Sequence, residues 1–409
     1  MMINKLKPHH QIIIAMILGY IVGYFFDFSK IFIPIGDIFI RLLKMIIVPI
    51  IFTSIVSGVS SVSKSQNIQI LGIKTILYYM STSLIAIIIG LVLTNSIQPG
   101  VGFSINSDSI KAKELIETPA GLIDMIYRII PVNPIDALAK GDILSIIFFS
   151  ILFGFSITRI PSDHRNRLNS FISALHETIM YLTGIIIKLA PIGVFGLIIK
   201  AVHHSSSNII PSIGLYMLTI FFGLAIHLLI VLPSLFWFFT RISPIKHYKA
   251  MSKAMLTAFS TSSSSATLPV TMNCVQDNVK VSKTTSSFVL PLGSTINMDG
   301  TALYECAGVL FISQAIGIEL GIFEQLTVVF TALLASIGAA GIPSAGLVMI
   351  FIVLKSVGLS EHPQVGILVG TMLAVDRPLD MLRTMVNVTS DSIGAAVIGK
   401  SEGNKLYED

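Results

Sequence analysis

Residues 376–391, DRPLDMLRTMVNVTSD, carry nine polar or charged side chains inside an otherwise apolar part of the chain. On a helix that turns about 100° per residue, six of them fall within an arc of about 100°: Asp376, Asp380, Arg383, Thr384, Asn387 and Asp391. The Arg383 guanidinium could clamp a carboxylate through two parallel hydrogen bonds, which a lysine cannot do. Asp380, one turn earlier, could hold an ammonium group. The pair predicts a site for an amphoteric ligand with an additional carboxylate.

A second polar cluster interrupts an apolar stretch at residues 291–305, PLGSTINMDGTALYE. Asn297 and Asp299, followed by Gly300, should unwind a helix locally and expose carbonyl oxygens beside a carboxylate. Such hard oxygen ligands suit a small cation, although Asn and Asp could instead simply cap a helix break. Hydroxyl groups in the span TILYYMSTS could add oxygen ligands or bond back to their own helix: Tyr79, Thr82 and Ser83.

Glu305 lies further along the same apolar stretch, between Tyr304 and Cys306. Burial favours the neutral form of a carboxyl group, so Glu305 is a candidate proton carrier. The alternative is that Glu305 faces a water-filled crevice and stays ionised.

The composition shows what surrounds these polar residues. Of 409 residues, 53% are hydrophobic and only 12% are charged, and the mean hydropathy is +0.83. Soluble domains carry about 25% charged residues, so we interpret the chain as an all-α polytopic membrane protein. Apolar windows long enough to cross a bilayer lie near 11–26, 38–60, 75–97, 143–158, 169–200, 208–240 and 284–317.

The charge distribution favours orientation in a membrane over nucleic-acid binding. The net charge is +5, but Lys and Arg are scattered singly at the ends of apolar runs, which is the pattern of cytoplasmic positive charge. We expect a multi-pass protein of the cell (inner) membrane with both termini in the cytoplasm. Cys274 and Cys306 lack CxxC spacing, so neither a disulfide framework nor a zinc site is supported.

Two segments cannot be simple spanning helices. Residues 257–271, TAFSTSSSSATLPVT, form a serine run ended by Pro269, and residues 335–346, ASIGAAGIPSAG, are small and broken by Pro343. Broken backbone at membrane depth survives only when it is packed in protein or lines a wet cavity. Paired broken segments indicate a transporter binding site, although small residues also permit tight helix packing.

Together these motifs resemble the glutamate transporter family, the dicarboxylate/amino acid:cation symporters. PIGDIFIRLLKMIIVP at 34–49 is similar to an early family signature, and the serine run, NMDGTALYE, GIPSAG and DMLRTMVNVTSD follow in the family's order. The resemblance covers nearly the whole chain. It implies eight transmembrane helices plus two re-entrant helical hairpins, a homotrimer, and a transport domain that moves like an elevator against a static scaffold.

The resemblance also implies a division of the chain. The scaffold would comprise helices 1–2 at 1–74 and helices 4–5 at 101–200, and residues 401–409 would form a cytoplasmic tail. The transport domain would comprise helix 3 at 75–100 and residues 201–400, which contain helix 6, hairpin 1 (about 250–275), helix 7 (about 282–317), hairpin 2 (about 325–358) and helix 8 (about 363–400).

The family's substrate site can be placed by motif position. Arg383 would hold the side-chain carboxylate of the substrate and Asp380 its amino group. Further polar atoms would come from Thr301, Thr384 and Asn387, and the hairpin tips would contribute Ser263, Ser264, Ile342 and Gly346.

Three sodium sites are implied in the same way. The first would use backbone oxygens of Gly293 and Asn297 with the side chains of Asn387 and Asp391. The second would use Tyr79, Thr82, Ser83, the Asn297 side chain and Asp299. The third would use backbone oxygens of Thr295, Met298, Ser336, Ile337 and Ala339.

The chain departs from the family pattern in two places. Archaeal members typically carry an arginine in the first hairpin tip, where this chain has Ser262, and animal glutamate carriers place one where it has Met381. The extra arginine here is Arg377, which we expect to pair with Asp376 or Asp380. Glu305 is similar to the residue of animal carriers that move a proton, whereas archaeal members have a glutamine there.

We therefore expect a secondary active importer of L-glutamate or L-aspartate, not an enzyme, with no cofactor. Sodium and a proton would be the coupling ions, and potassium counter-transport stays open. A proton-only symporter and a carrier of dicarboxylates without an amino group are the nearest alternatives; Asp380 argues against the second. An anion channel would also explain a wet polar interior. An intramembrane hydrolase with a nucleophile at 262–265 lacks a GxSxG or SxxK motif and a histidine near these serines.

Overall fold

The computed structural model describes residues 8–60, 66–102, 130–204, 209–337 and 345–408. Within these ranges the regular structure is entirely helical, and no residue is in a strand. The predicted all-α class is confirmed for these residues. Two predicted site residues, Ala339 and Ile342, lie outside them.

The described ranges contain sixteen α-helices. In chain order they are α1 (Pro8–Phe25), α2 (Ile33–Ser60), α3 (Gln66–Ile97), α4 (Pro134–Lys140), α5 (Ile143–Arg159), α6 (Ser162–Lys188), α7 (Ala190–His204) and α8 (Ile209–Ile226). They continue with α9 (Leu232–Thr240), α10 (Pro244–Thr261), α11 (Ser264–Asn273), α12 (Lys283–Ile296), α13 (Asp299–Ala315), α14 (Ile322–Ile337), α15 (Ala345–Ser356) and α16 (Val365–Ser401). A 3-10 turn at Asp27–Phe32 precedes α2, and π-helical turns at His227–Val231 and Cys274–Asn278 follow α8 and α11.

Several helices in the described ranges could cross a membrane. By length and composition, three qualify: Ser29–Ser60, Ile70–Ile97 and Ser212–Thr240. A fourth qualifies if Ser162–Ile186 and Ala190–Lys200, which meet at a bend of 53°, are counted as one span. The apolar window at 169–200 therefore falls on two helices, α6 and α7, with a bend between them. Pro191 lies in the first turn of α7, and because proline lacks an N–H, it disfavours continuation of the preceding helix.

Local residue chemistry explains the sharp connection between α10 and α11. Ser262 ends α10 in the left-handed conformation with φ of 52°. Ser263 then caps α11, because its Oγ accepts a hydrogen bond from the N–H of Ala266 at 3.1 Å. The two helices pack against each other across this short turn. Helices α14 and α15 also pack against each other, on either side of residues 338–344.

Packing divides the helices into two groups. Helices α1, α2, α5, α6 and α7 contact one another, whereas α16 contacts α8, α9, α10, α11, α12 and α13, and α3 runs along α13. The groups meet at several places, one of which is the contact of α16 with α7. A Cβ added at Gly370 would lie 2.6 Å from the Cβ of Leu197, so only glycine permits this approach. Helix α16 therefore lies among the helices that carry the polar motifs.

Candidate functional site

Arg383 lies at the centre of the polar stripe on α16 and is only 1% exposed. Its Nη2 donates to Asp380 Oδ1 at 2.7 Å and lies 3.0 Å from Asp376 Oδ1. The Tyr304 ring lies 3.7 Å from the guanidinium carbon, which is a cation–π contact. Nε and Nη1 of Arg383 have no hydrogen-bond partner among the described residues. The guanidinium thus retains donors that a bound carboxylate could use.

Asp380 lies between two arginines of its own helix. Its Oδ2 is 3.9 Å from Nη1 of Arg377, a longer contact than the 2.7 Å bond of Oδ1 with Arg383. The Arg377 contact therefore falls on Asp380, one of the two partners expected from the sequence. Thr384 donates its hydroxyl to the Asp380 carbonyl at 2.9 Å, so that hydroxyl bonds back to its own helix.

Asn387 connects α16 to the start of α13. Its Oδ1 accepts from the N–H of Gly300 at 2.8 Å, and its Nδ2 donates to Thr301 Oγ1 at 3.2 Å. A Cβ on Gly346, in α15, would lie 3.1 Å from Arg383 Nη1 and 3.3 Å from the Thr301 methyl. Gly346, Thr301, Asn387 and Arg383 therefore come together from three helices.

The predicted interruption at Asn297 separates α12 from α13. Asn297 and Met298 have non-helical backbone angles, with ψ of 89° and 53°. Asn297 Nδ2 donates to Asp391 Oδ1 and to Ser390 Oγ, each at 2.9 Å. A Cβ on Gly293 would lie 2.6 Å from Asp391 Oδ1, so a side chain there would collide with the carboxylate. Gly293, Asn297 and Asp391 form one oxygen-rich cluster.

Asp299 forms a neighbouring cluster with α3. Its Oδ1 accepts from Ser83 at 2.7 Å and from Thr82 at 3.2 Å. Thr82 Oγ1 also lies 3.4 Å from Asn297 Oδ1. Tyr79 donates instead to the carbonyl of Val289 at 3.0 Å, although a Cβ on Gly293 would lie 2.5 Å from its Oη. The three α3 hydroxyls thus lie beside the helix break.

For the remaining predicted residues the structure gives burial and helix packing. Met298 and Ser336 are buried, Ile337 is half-buried, the Thr295 side chain is exposed, and α12 contacts α14. The Ser336 hydroxyl donates to the carbonyl of Leu333 at 2.8 Å. Ser263 and Ser264 are buried in the turn between α10 and α11, and α11 contacts α16.

Glu305 is fully buried in α13. Neither carboxyl oxygen has a hydrogen-bond partner among the described residues. Burying an ionised carboxylate without a partner costs several kcal/mol. This geometry suits a group that carries a proton.

Sequence reasoning missed two contacts of the site. His227 begins the π-helical turn after α8, and its Nε2 lies 2.9 Å from Asp299 Oδ2 with both side chains fully buried. A lone histidine in the apolar run FFGLAIHLLIVLP could have indicated it, because ionisable groups at membrane depth are seldom accidental. The contact of the Tyr304 ring with Arg383 had no comparable sequence signal, because a tyrosine within an apolar run is not unusual.

Buried polar clusters of this kind inside an apolar helical chain indicate a membrane transport protein, and the family comparison supports that class. The profile of the sodium:dicarboxylate symporter family matches residues 9–401, and the chain belongs to that family.

Individual relatives from animals and bacteria are similar over most of their length. The excitatory amino acid transporter 3 of Mus musculus is 35% identical over 97% of this chain and 85% of its own. The proton/sodium-glutamate symport protein of Geobacillus stearothermophilus is 34% identical, covering 98% of this chain and 96% of its own. The proton/glutamate-aspartate symporter of Escherichia coli (strain K12) is 32% identical, covering 96% and 92%.

Proposed function

We propose that the chain is a secondary active symporter that imports L-glutamate or L-aspartate, coupled to sodium and a proton. The observation that carries this proposal is the buried Arg383 guanidinium, whose Nε and Nη1 have no hydrogen-bond partner in the described part of the chain. A buried cation with free donors suits an anionic ligand. The names of the bacterial relatives, which include glutamate, support the same substrate class.

The substrate lies between α13, α15 and α16. Arg383 holds the side-chain carboxylate of the substrate, and Asp380 holds the amino group of the substrate. To bind the amino group, Asp380 must weaken its hydrogen bond with Arg383. Asn387, Thr301 and Thr384 supply further polar atoms, and Gly346 leaves room beside the guanidinium. Ser263 and Ser264, in the α10–α11 turn, close over the substrate from the first hairpin tip. Ile342 closes over it from the second.

Sodium is a second cargo, held by oxygen atoms. The clusters around Asp391 and Asp299 combine carboxylate, amide, hydroxyl and carbonyl oxygens, which are the ligands that hard cations prefer. In the first site Gly293, Asn297 and Asn387 join Asp391. In the second, Asn297 and Asp299 are joined by Tyr79, Thr82 and Ser83, and a third uses Thr295, Met298, Ser336, Ile337 and Ala339. Glu305 carries the proton, and potassium return stays open.

The two packing groups correspond to a fixed part and a moving part of the protein. Residues 1–74 and 101–200 form a static scaffold, and residues 75–100 and 201–400 form a transport domain that slides as an elevator in a homotrimer. Eight transmembrane helices and two re-entrant hairpins, α10–α11 and α14–α15, make up each protomer. The packing of α10 on α11 and of α14 on α15 supports the hairpin assignment.

Radiolabelled uptake into proteoliposomes tests the proposal. Sodium, proton and potassium gradients are imposed separately, and aspartate, glutamate and succinate are compared. We expect concentrative uptake of the two amino acids that requires sodium and increases with an inward proton gradient. Uptake that never exceeds the external concentration, with a steady substrate-independent current, would instead establish an anion channel.

A proton-only symporter is the second candidate. The buried, unpartnered Glu305 favours it, and the Escherichia coli relative is named for a proton alone. Full concentrative uptake driven by a proton gradient in sodium-free buffer would select this function. Uptake of succinate equal to that of aspartate would remove the proposed role of Asp380.

A further inference from the structure

The connection between α9 and α10 carries an exposed aromatic and basic surface outside the proposed transport site. Trp237 and Phe238 near the end of α9 are 52% and 58% exposed. They line a groove of about 550 Å³ together with Pro233, Ser234, Leu235 and Pro244. Exposed aromatic rings of this kind are typical of the boundary between lipid tails and headgroups.

Arg241 places a positive charge on the rim of this groove. It takes the left-handed conformation that ends α9, with φ of 58°. Its guanidinium carbon lies 4.9 Å from the Trp237 ring centre and 5.5 Å from that of Phe238. The cation is stacked on the same two rings that line the groove.

A row of lysines continues the charge along α10. Lys246, Lys249 and Lys253 are exposed and spaced i, i+3 and i+7, which places them on one face of the helix. Residues 241–253, RISPIKHYKAMSK, contain no Asp or Glu. Two exposed acidic residues lie nearby: Asp277, whose π-helical turn contacts α10, and Glu408, which follows Tyr407 in the chain. The Tyr407 ring lies 4.8 Å from Lys246 Nζ. The basic side chains of this connection still outnumber these acidic ones. The basic excess indicates that this connection faces the cytoplasmic leaflet.

We infer that this surface binds the headgroup of an anionic phospholipid, with the acyl chains against Trp237 and Phe238 and the phosphate at Arg241 and Lys246. Charge complementarity selects the occupant. A zwitterionic lipid would fill the groove equally well but would gain nothing from four basic side chains, whereas each basic residue near an anionic surface adds attraction. The inference does not depend on the proposed substrate.

The single tryptophan of the chain makes the test direct. Because Trp237 is the only tryptophan, its fluorescence reports on this groove alone. The full-length protein is reconstituted in phosphatidylcholine bilayers, and dibrominated phosphatidylglycerol or dibrominated phosphatidylcholine is added at matched fractions. We expect the anionic quencher to act at an at least ~3-fold lower fraction, given the attraction per basic residue near the surface. This preference should shrink in high salt, which screens exposed charges.

Variants locate the preference. In Arg241→Asn/Lys246→Gln/Lys249→Gln the two quenchers should become equivalent; Asn suits position 241 because it tolerates positive φ. The matched control Arg165→Gln/Arg167→Gln/Lys188→Gln removes three basic residues from α6 and should keep the preference. If the triple variant does not fold, Arg241→Asn alone should lower the preference for the anionic quencher. Equal quenching in the unaltered protein would overturn the inference, and so would absence of quenching by either lipid, which would mean that protein covers the groove.

Discussion

Replacing Arg383 by alanine should abolish uptake of acidic amino acids. The side chain offers Nε and Nη1, two donors without partners among the described residues, beside Tyr304 and Gly346. A hydrogen bond to a charged group contributes about 1.5–3 kcal/mol, so the loss of two weakens binding by about 3–6 kcal/mol. At about 1.4 kcal/mol per factor of ten, this corresponds to roughly a 100-fold to 10,000-fold loss of affinity.

The assay is radiolabelled aspartate and glutamate uptake into proteoliposomes, with neutral amino acids tested as competitors. Arg383→Lys separates charge from geometry: it keeps the cation but loses the two-pronged donor arrangement, so uptake should fall by at least about 10-fold. Arg377→Ala is the matched control on the same helix. Arg377 is 3.9 Å from Asp380 and partly exposed, so this change should have the smaller effect.

Folding must be checked separately, because removal of Arg383 leaves Asp376 and Asp380 without their shared cation. Thermal unfolding monitored by size-exclusion chromatography of detergent-purified protein serves this purpose. A folded Arg383→Ala variant should lose acidic substrates and admit neutral ones such as serine, because the cation no longer selects a carboxylate. Unchanged uptake of both acidic amino acids by a folded variant would refute the site assignment.

Three other changes test separate parts of the site. Glu305→Gln cannot carry a proton, so its uptake should depend less on pH than that of the unaltered protein; an identical pH profile would remove its proton role. Asp391→Asn removes the anionic oxygen of the proposed sodium site, so the sodium concentration for half-maximal aspartate uptake should rise by about 10–100-fold. An unchanged sodium dependence would exclude Asp391 from that site. Gly346→Val places a side chain 3.1 Å from Arg383 Nη1, and since a displacement of about 1 Å can cost about 100-fold, aspartate affinity measured by binding should fall strongly. Unaltered affinity would mean that α15 does not adjoin the bound substrate.

The local features of this chain were predictable because they depend on neighbouring residues. Asn297 and Asp299, followed by Gly300, predicted the interruption between α12 and α13. The spacing of the charged residues in α16 predicted one polar stripe, and the six residues of that stripe are all buried. Both are consequences of helical geometry and of the cost of burying polar groups.

Contacts between distant segments were not predictable in the same way. His227 meets Asp299 only because α8 and α13 pack together, and no periodicity in either segment encodes that encounter. The contact of Tyr304 with Arg383 likewise depends on the packing of α16 against α13, which the local sequence of neither helix encodes. A hydropathy window averages over Pro191, so the hydropathy of the sequence does not show the bend before α7.

The two ends of the Asn297 amide face different clusters. Its oxygen lies 3.4 Å from the Thr82 hydroxyl, and its nitrogen donates to Asp391 at 2.9 Å. A cation that recruits the oxygen turns the nitrogen as well, because the amide is one rigid plane. The first ion to bind would therefore orient the Asn297 amide for the second ion. The sodium-binding curve should then be sigmoidal, and its steepness should be lost when Asn297 is replaced by alanine.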